Sequence, residues 1–149
     1  MDAASLGLSK IREVRDTCLC LASQRAARRL ARRFDRAFKP VGLTNNQFSA
    51  LMFIAATEQT PGRLAELLVM DSTTVTALLK ALERERLVES RLGAEDRRVR
   101  RVSITDSGRA RLEQALPIWR AEHSRLEAAL PQIDSSRSLL TALALAPLT

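Results

Sequence analysis

Aromatic side chains are scarce in this sequence, which has no tyrosine, one tryptophan and four phenylalanines among 149 residues. Hydrophobic residues still make up 46% of the chain, so a core must be built mainly from aliphatic side chains. Such a composition favours helices packed on helices. Only five glycines and five prolines are present, which predicts few turns and long elements. We therefore expect one mainly α-helical unit spanning 1–149.

Cysteine and histidine are too few for a disulfide framework or a metal centre. On a continuous helix, Cys18 and Cys20 point in nearly opposite directions and cannot bridge. His123 is the only histidine, and a metal site needs several ligands. The sequence has no signal-peptide run and no membrane-length apolar segment. These absences predict a cytoplasmic protein with no metal, no cofactor and no membrane contact.

Catalytic signatures are also missing. The sequence has no glycine-rich phosphate loop, no nucleophile elbow, no HExxH and no arrangement that suggests a histidine-based triad. We therefore predict no catalytic residues and a protein that is not an enzyme.

Lysine is rare although the chain is strongly basic. The formal net charge is +7, and Lys10, Lys39 and Lys80 are the only lysines among 24 basic residues. Arginine is suited to two-pronged hydrogen bonding with phosphates and bases. The excess of basic over acidic residues favours a polyanionic partner. The alternative is that the chain is rich in arginine only because its whole proteome is.

Residues 10–41 are predicted to form one long helix, because apolar residues recur there every three or four positions. A basic stripe runs beside the apolar one. Such a stripe is usually a solvated face, and the alternative is a contact with DNA phosphates. Its members are Arg25, Arg29, Arg32, Arg36 and Lys39.

Three further helix starts follow. Thr44 opens a capping box with Gln47, Thr60 precedes a proline, and Asp71 or Ser72 begins a third helix. The first of these helices is expected to turn Phe48, Leu51, Met52 and Ala55 inward.

The third of these helices has two contrasting faces. Its inward face carries Val75, Leu78, Leu79 and Leu82. The opposite face carries no acid, as expected of a helix that lies in a DNA major groove, and Glu83 and Glu85 lie only at its far C-terminal end. A short helix followed by this one predicts a helix-turn-helix, although any antiparallel helix pair can give the pattern. The outward residues are Thr73, Thr76, Ala77, Lys80 and Arg84.

A basic hairpin is predicted next, from strands at 87–91 and 99–104 with Gly93 in the turn region. Its arginines should repel one another unless a polyanion lies alongside, which identifies the hairpin as a wing aimed at a minor groove. The alternative is an exposed basic loop. The arginines are Arg91, Arg97, Arg98, Arg100 and Arg101.

Two C-terminal helices complete the prediction. The first begins at Thr105–Asp106, should kink at Pro117 and ends by Pro131, and the second spans about 135–146. Their apolar stripe, which includes His123, exceeds what a small winged core can cover. The surplus predicts a homodimer, whose twofold axis would place two recognition helices about one DNA turn apart.

The motif order resembles the MarR (multiple antibiotic resistance regulator) family, carried by Ser-Thr-Thr-Val-Thr at 72–76, Leu-Glu-Arg at 82–84, Asp-Arg-Arg at 96–98 and Ile-Thr-Asp-Ser-Gly at 104–108. The resemblance implies a winged helix-turn-helix at 44–104 and dimerisation helices at 10–41 and 106–146. Arg98 matches a minor-groove arginine that Asp96 orients through a paired hydrogen bond, and the alternative role for Asp96 is a hairpin cap. The predicted DNA-binding residues are Ser72, Thr73, Thr74, Thr76, Lys80, Arg84, Arg97, Arg98 and Arg100.

Two positions depart from the family pattern. Ala77 stands where the family often has arginine or lysine, which weakens base readout from the middle of the helix. Arg86 stands where a glycine is usual, and a left-handed conformation would cost arginine about 1 kcal/mol. We therefore expect a differently shaped turn at Arg86.

The resemblance also implies a repressor that leaves a pseudo-palindromic double-stranded DNA operator when a small, often aromatic or phenolic, effector binds. Arginine and phenylalanine side chains of the first helix, together with Phe48 and Met52, are candidate lining residues, or plain core. Alternatively, Cys18 is a redox sensor, as in the organic-hydroperoxide-sensing branch, although the tyrosines of that branch are absent. Two other classes stay open, a regulator that binds a protein partner and an RNA-binding winged helix.

Overall fold

The computed structural model describes residues 7–146 and contains a bundle of helices with one small hairpin. This architecture confirms the predicted mainly α fold with a β-hairpin wing. The predicted unit of 1–149 reaches past the described residues at both ends. The elements are α1 (Leu8–Thr17), α2 (Leu19–Phe38), α3 (Asn45–Ala56), α4 (Pro61–Leu68), α5 (Ser72–Arg84), β1 (Val88–Leu92), β2 (Arg100–Ile104), α6 (Asp106–Ala129) and α7 (Ile133–Leu145).

Side-chain caps begin the central helices where the sequence places them. Thr44 and Gln47 form a reciprocal capping box at the start of α3. Thr60, Asp71 and Thr105 cap α4, α5 and α6, each accepting a hydrogen bond from a backbone N–H three residues on. The predicted starts are confirmed, because a cap depends only on neighbouring residues.

The core lies where α2, α3, α5, α6 and the hairpin meet. The Phe38 ring stacks on Phe48 with centroids 4.6 Å apart, and Leu51, Leu79 and Val102 are fully buried. These contacts fix the helix-turn-helix and the wing to one apolar centre.

The predicted inward position of Met52 is wrong. Its side chain is 42% exposed, whereas Leu51 and Ile54 are buried. The buried arc of α3 is centred near Leu51, and Met52 lies beyond its edge.

The prediction of one helix over 10–41 is wrong, because the chain breaks at Cys18, whose φ and ψ are −69° and 107°. Asp16, Thr17 and Cys18 are consecutive residues of low helix propensity. The Thr17 hydroxyl also donates to the Glu13 carbonyl at 2.8 Å, a bond that tends to bend helices.

The same segment also ends earlier than predicted. Helix α2 stops at Phe38, and Lys39–Val41 forms a 3-10 turn closed by left-handed Gly42. Pro40 has no N–H to continue the α-helical ladder. The premise that Cys18 and Cys20 share a helix is wrong as well, because Cys18 lies between α1 and α2.

The turn after α5 keeps the left-handed shape despite its arginine. Arg86 has a φ of 58°. Its N–H donates to the Glu83 carbonyl and the Leu87 N–H donates to the Leu82 carbonyl, both at 2.9 Å, which is a Schellman motif. The expectation of a different turn is therefore wrong, because burial of Leu82 and Leu87 holds the motif in place.

The turn between α4 and α5 is built in the same way around Val69. Its φ is 52°, and the Met70 N–H donates to the Ala65 carbonyl at 2.9 Å. A β-branched residue is strained in this conformation, so packing of the two helices must offset the strain.

Helix α6 continues through Pro117, and α7 starts at Ile133, two residues before the predicted start.

The two terminal helices, α1 and α7, are largely exposed. No residue of α1 or α7 is buried, and within residues 7–146 no helix is apolar and long enough to cross a membrane. Exposed apolar side chains on these two helices are Leu8, Ile11, Val14, Leu139, Leu140 and Leu145.

Candidate DNA-binding surface

Helices α4 and α5 form the predicted helix-turn-helix, and the outward face of α5 is exposed. Its apolar side is buried through Val75, Leu79 and Leu82. Five outward residues line one shallow depression on the surface, without an acidic side chain among them. They are Ser72, Thr73, Thr76, Ala77 and Lys80.

Two hydroxyl groups at the start of α5 already donate within the protein. The Thr74 hydroxyl donates to Asp71 Oδ2 at 2.6 Å and the Thr74 N–H donates to Oδ1 at 2.8 Å. These bonds, the hydroxyl first, lower the pKa of Asp71. The Thr76 hydroxyl donates to the Ser72 carbonyl at 2.8 Å. Thr74 therefore serves the helix cap, while the Thr76 oxygen can still accept a hydrogen bond.

The wing is a two-stranded antiparallel hairpin in which Arg91 pairs with Arg101 and Leu92 with Arg100. The Gly93 N–H donates to the Val99 carbonyl at 2.7 Å. A Cβ at Gly93 would lie 2.7 Å from the Asp96 carbonyl oxygen, so glycine is required by this close approach.

Asp96 caps the tip of the hairpin. Its Oδ1 accepts a hydrogen bond from the backbone N–H of Arg98 at 2.9 Å, the turn-forming contact typical of aspartate. This contact is the one expected if Asp96 caps the hairpin. Pairing of Asp96 with the Arg98 guanidinium stays a prediction for the DNA complex.

Three of the five wing arginines are held by carboxylates of the protein itself. Glu58 Oε1 accepts from Arg91 Nη2 at 2.7 Å, and Glu58 Oε2 lies 3.9 Å from Arg101. Arg100 is bound to Glu83. The wing arginines therefore do not need a polyanion to offset their mutual repulsion, and that prediction is wrong.

Glu58 and Glu83 are not among the residues predicted from the sequence, because no local pattern marks them. Glu58 is 33 residues from Arg91, and Glu83 is 17 residues from Arg100. These two ion pairs form only because the folded hairpin lies beside α5 and the α3–α4 loop, which the sequence pattern does not show.

Four predicted DNA-binding cations stay outside the ion pairs of residues 7–146. Lys80 and Arg84 lie exposed on the last two turns of α5, and Arg97 and Arg98 are exposed at the wing tip. Positive charge is thus available at a helix face and at a hairpin tip, the two elements that winged proteins use on the two grooves.

A separate groove runs between α2 and the end of α6. The Arg33 guanidinium and Glu122 join the two helices, with Nε and Oε2 2.7 Å apart. The lining mixes leucines and alanines with arginines, and it comprises Ala26, Arg29, Leu30, Arg32, Arg33, Arg36, Leu126, Ala129 and Leu130.

His123 packs against another aromatic ring of α6. Its ring stacks on Trp119 with centroids 4.7 Å apart, and Nδ1 lies 3.1 Å from Glu127 Oε1. In the described part of the chain, no group of three His, Cys, Asp or Glu side chains is placed to hold a metal ion.

Comparison with known proteins agrees with this geometry. The MarR family model matches residues 41–99. The M. tuberculosis transcriptional regulator MosR, solved with DNA, is 36% identical, covers 89% of this chain and 99% of its own, and superposes with a TM-score of 0.76. The transcriptional repressor CouR on a 23-mer duplex is 31% identical over 95% and 97% of the two chains, with a TM-score of 0.75.

A curated relative points the same way. The organic hydroperoxide resistance transcriptional regulator of Bacillus subtilis is 28% identical over 67% of this chain and 69% of its own length. Together with the helix-turn-helix and the basic wing, these matches show that the chain belongs to the MarR family of DNA-binding transcriptional regulators and is not an enzyme.

Proposed function

We propose that the chain is a homodimeric, sequence-specific transcriptional repressor that binds a pseudo-palindromic DNA operator and is released by a small-molecule effector. The observation that carries the proposal is which basic side chains remain outside the ion pairs within the protein. Lys80, Arg84, Arg97 and Arg98 lie outside the internal ion pairs of residues 7–146, on the two elements that suit the two grooves of a duplex.

Each DNA-binding residue has a role set by its position. Ser72, Thr73 and Thr76 open α5, where a recognition helix meets base edges. Lys80 and Arg84 lie near its C-terminal end and would contact phosphates, which fix position without reading sequence. Arg97 and Arg98 would enter the flanking minor groove, with the Asp96 cap shaping the tip.

We propose that the terminal helices α1 and α7 pack against a second copy of the chain. Helix α1 has ten residues and buries none of them, and an isolated helix of that length is marginal in water. Exposed leucines on α7 form a second unpartnered apolar face. Pairing of α1 and α7 with those of a partner copy would bury both.

The effector site we propose is the groove between α2 and α6. Leu30, Leu126 and Leu130 give it an apolar floor, and Arg29 and Arg36 give it a basic rim. A flat organic acid fits that combination, because its ring needs apolar contacts and its carboxylate needs arginine. Phe48 is packed in the core and does not line the groove.

The test compares two arginine variants of equal charge. Arg98→Ala should weaken binding to an operator selected from random duplexes by about 1 to 3 kcal/mol. Arg120→Ala removes the same charge from an exposed position on α6 and should leave operator affinity near wild type. Sedimentation should show both variants as dimers. Normal operator binding by Arg98→Ala, or a monomeric wild-type protein, would refute the proposal.

A thiol-based trigger is the second candidate, favoured by the position of Cys18 at the helix break. Cys18 Sγ accepts a hydrogen bond from the Leu21 N–H at 3.4 Å, which places the sulfur at the N-terminal end of α2. The Bacillus subtilis relative is named for organic hydroperoxide resistance. Mass spectrometry after mild peroxide, paired with operator binding by wild type and Cys18→Ser, tests this trigger. Peroxide that oxidises Cys18 but leaves DNA affinity unchanged would eliminate it.

A further inference from the structure

Glu83 occupies an unexpected place for an acidic residue. It lies three residues after Lys80, so it continues the exposed stripe of α5 that includes Thr73, Thr76 and Lys80. A free carboxylate at that point would repel the phosphates of a bound duplex. Its presence needs a physical account.

The structure shows where the Glu83 charge goes. Its Oε1 accepts hydrogen bonds from the Ser90 hydroxyl and from Arg100 Nη2. The Glu83 and Arg100 side chains are 29% and 37% exposed. The hydrogen bond from Ser90 is the largest cause of a lowered Glu83 pKa. Burial, the second-largest effect, raises the pKa, and Arg100 and Lys80 lower it further.

The hairpin register makes this contact a link between two DNA-binding elements. Ser90 pairs with Val102 and Leu92 pairs with Arg100, so Ser90 and Arg100 lie on the same face of the hairpin. One carboxylate on α5 therefore holds both strands of the wing.

Glu58 holds the other face of the hairpin. Its partners Arg91 and Arg101 are directly opposite each other in the register, one position away from the pair that Glu83 holds. Adjacent positions along a strand point to opposite faces. The two carboxylates thus fix the wing from both sides.

We propose that Glu83 is a specificity-determining positioning residue: it fixes the wing relative to the recognition helix and withholds Arg100 from sequence-independent phosphate binding. The proposal rests on the DNA binding described above. Specificity is a difference between two affinities, so an element that suppresses the nonspecific one increases it.

Glu83→Gln separates these effects from simple damage. The glutamine retains the shape and a hydrogen-bond acceptor for Ser90, but it releases the Arg100 charge. One added phosphate contact should steepen the salt dependence of nonspecific binding by about 0.9 in log–log slope, which is about fivefold in affinity near 0.15 M salt. A circular dichroism spectrum and a urea midpoint like those of the wild-type protein show that this increase does not come from partial unfolding.

The experiment measures fluorescence anisotropy on two duplexes of equal length, an operator selected with the wild-type protein and its scrambled sequence. In Glu83→Gln we expect about fivefold tighter binding to the scrambled duplex, no gain on the operator, and therefore at least about a fivefold loss of preference. The wild-type preference reports on the proposed function, and its change in the variant reports on Glu83.

Two further variants separate charge from position. Ser90→Ala removes one hydrogen bond and no charge, so it should reduce the operator preference while leaving the salt slope unchanged. Glu83→Gln/Arg100→Gln restores the local neutrality of wild type, so its salt slope should return to the wild-type value.

Two results would overturn the proposal. An equal increase in affinity for both duplexes in Glu83→Gln would show that Glu83 does not position the wing. A salt slope in the double variant about 0.9 shallower than wild type would show that Arg100 already binds phosphate in the wild-type complex.

Discussion

Gly108→Ala tests the junction between the wing and α6, where a single methyl group has no room. A Cβ on Gly108 would lie 2.1 Å from the Leu87 carbonyl oxygen and 2.7 Å from Ile104 Cγ1. The Leu87 carbonyl also accepts the Thr105 N–H at 3.1 Å, so it cannot rotate away freely. The added methyl must therefore push α6 and the base of the wing apart.

Two opposing effects set the magnitude of this change. Alanine is a better helix former than glycine by up to about 1 kcal/mol. Overpacking against a well-packed neighbour costs about 1 to 3 kcal/mol, and occasionally more. Because the closest contact is with backbone, we expect the clash to win and the free energy of unfolding to fall by about 2 kcal/mol or more.

Gly62→Ala is the matched control. Gly62 also lies in the first turn of a helix, and a Cβ there would meet nothing within 4 Å. The same substitution should therefore raise stability, by about 0.5 kcal/mol. Urea unfolding followed by circular dichroism, at one protein concentration for all variants, measures both changes. The reasoning is refuted if Gly108→Ala unfolds at the same or a higher urea concentration than wild type.

Three other outcomes follow from the structure. Val69→Gly should raise the free energy of unfolding by about 1 kcal/mol, since glycine removes the left-handed strain at an exposed turn; an unchanged urea midpoint would count against this. Lys80→Ala should weaken binding to all duplexes and make the salt slope shallower by about 0.9, and a loss confined to the operator would instead indicate base readout. Because the Glu83 pKa is lowered in the folded protein, its carboxylate stabilises the fold above the unfolded-state pKa, near pH 4, and this contribution disappears as pH falls through the lower folded-state value. The melting temperature should therefore fall more steeply between pH 6 and pH 3 for wild type than for Glu83→Gln. Parallel curves for the two proteins would contradict a stabilising role of the Glu83 carboxylate.

The parts of the fold that depend on neighbouring residues could be predicted from the sequence. Thr44, Thr60, Asp71 and Thr105 cap their helices because each side chain reaches a backbone N–H three residues on. The inward face of α5 followed from helical spacing alone.

The features that depend on distant contacts could not be predicted. Arg86 takes a glycine-like conformation because buried Leu82 and Leu87 hold the turn, and no local preference indicates that result. The break at Cys18 has neither glycine nor proline to mark it.

The candidate site shows the same division. The exposed face of α5 and the basic wing could be recognised from the pattern, since both lie within short segments. The pairing of Arg100 with Glu83 could not, because it requires the hairpin to be folded back onto α5. Arg100, which the sequence predicts to contact DNA, instead forms an ion pair with Glu83 within the protein.

The central claim is that α5 and the wing read adjacent grooves of one duplex, and hydroxyl-radical footprinting of a selected operator tests it most directly. We expect two protected regions about one helical turn apart, each flanked by a protected minor groove, and loss of only the flanking protection in Arg98→Ala. A wild-type footprint without flanking protection, or one that Arg98→Ala leaves intact, would contradict the claim.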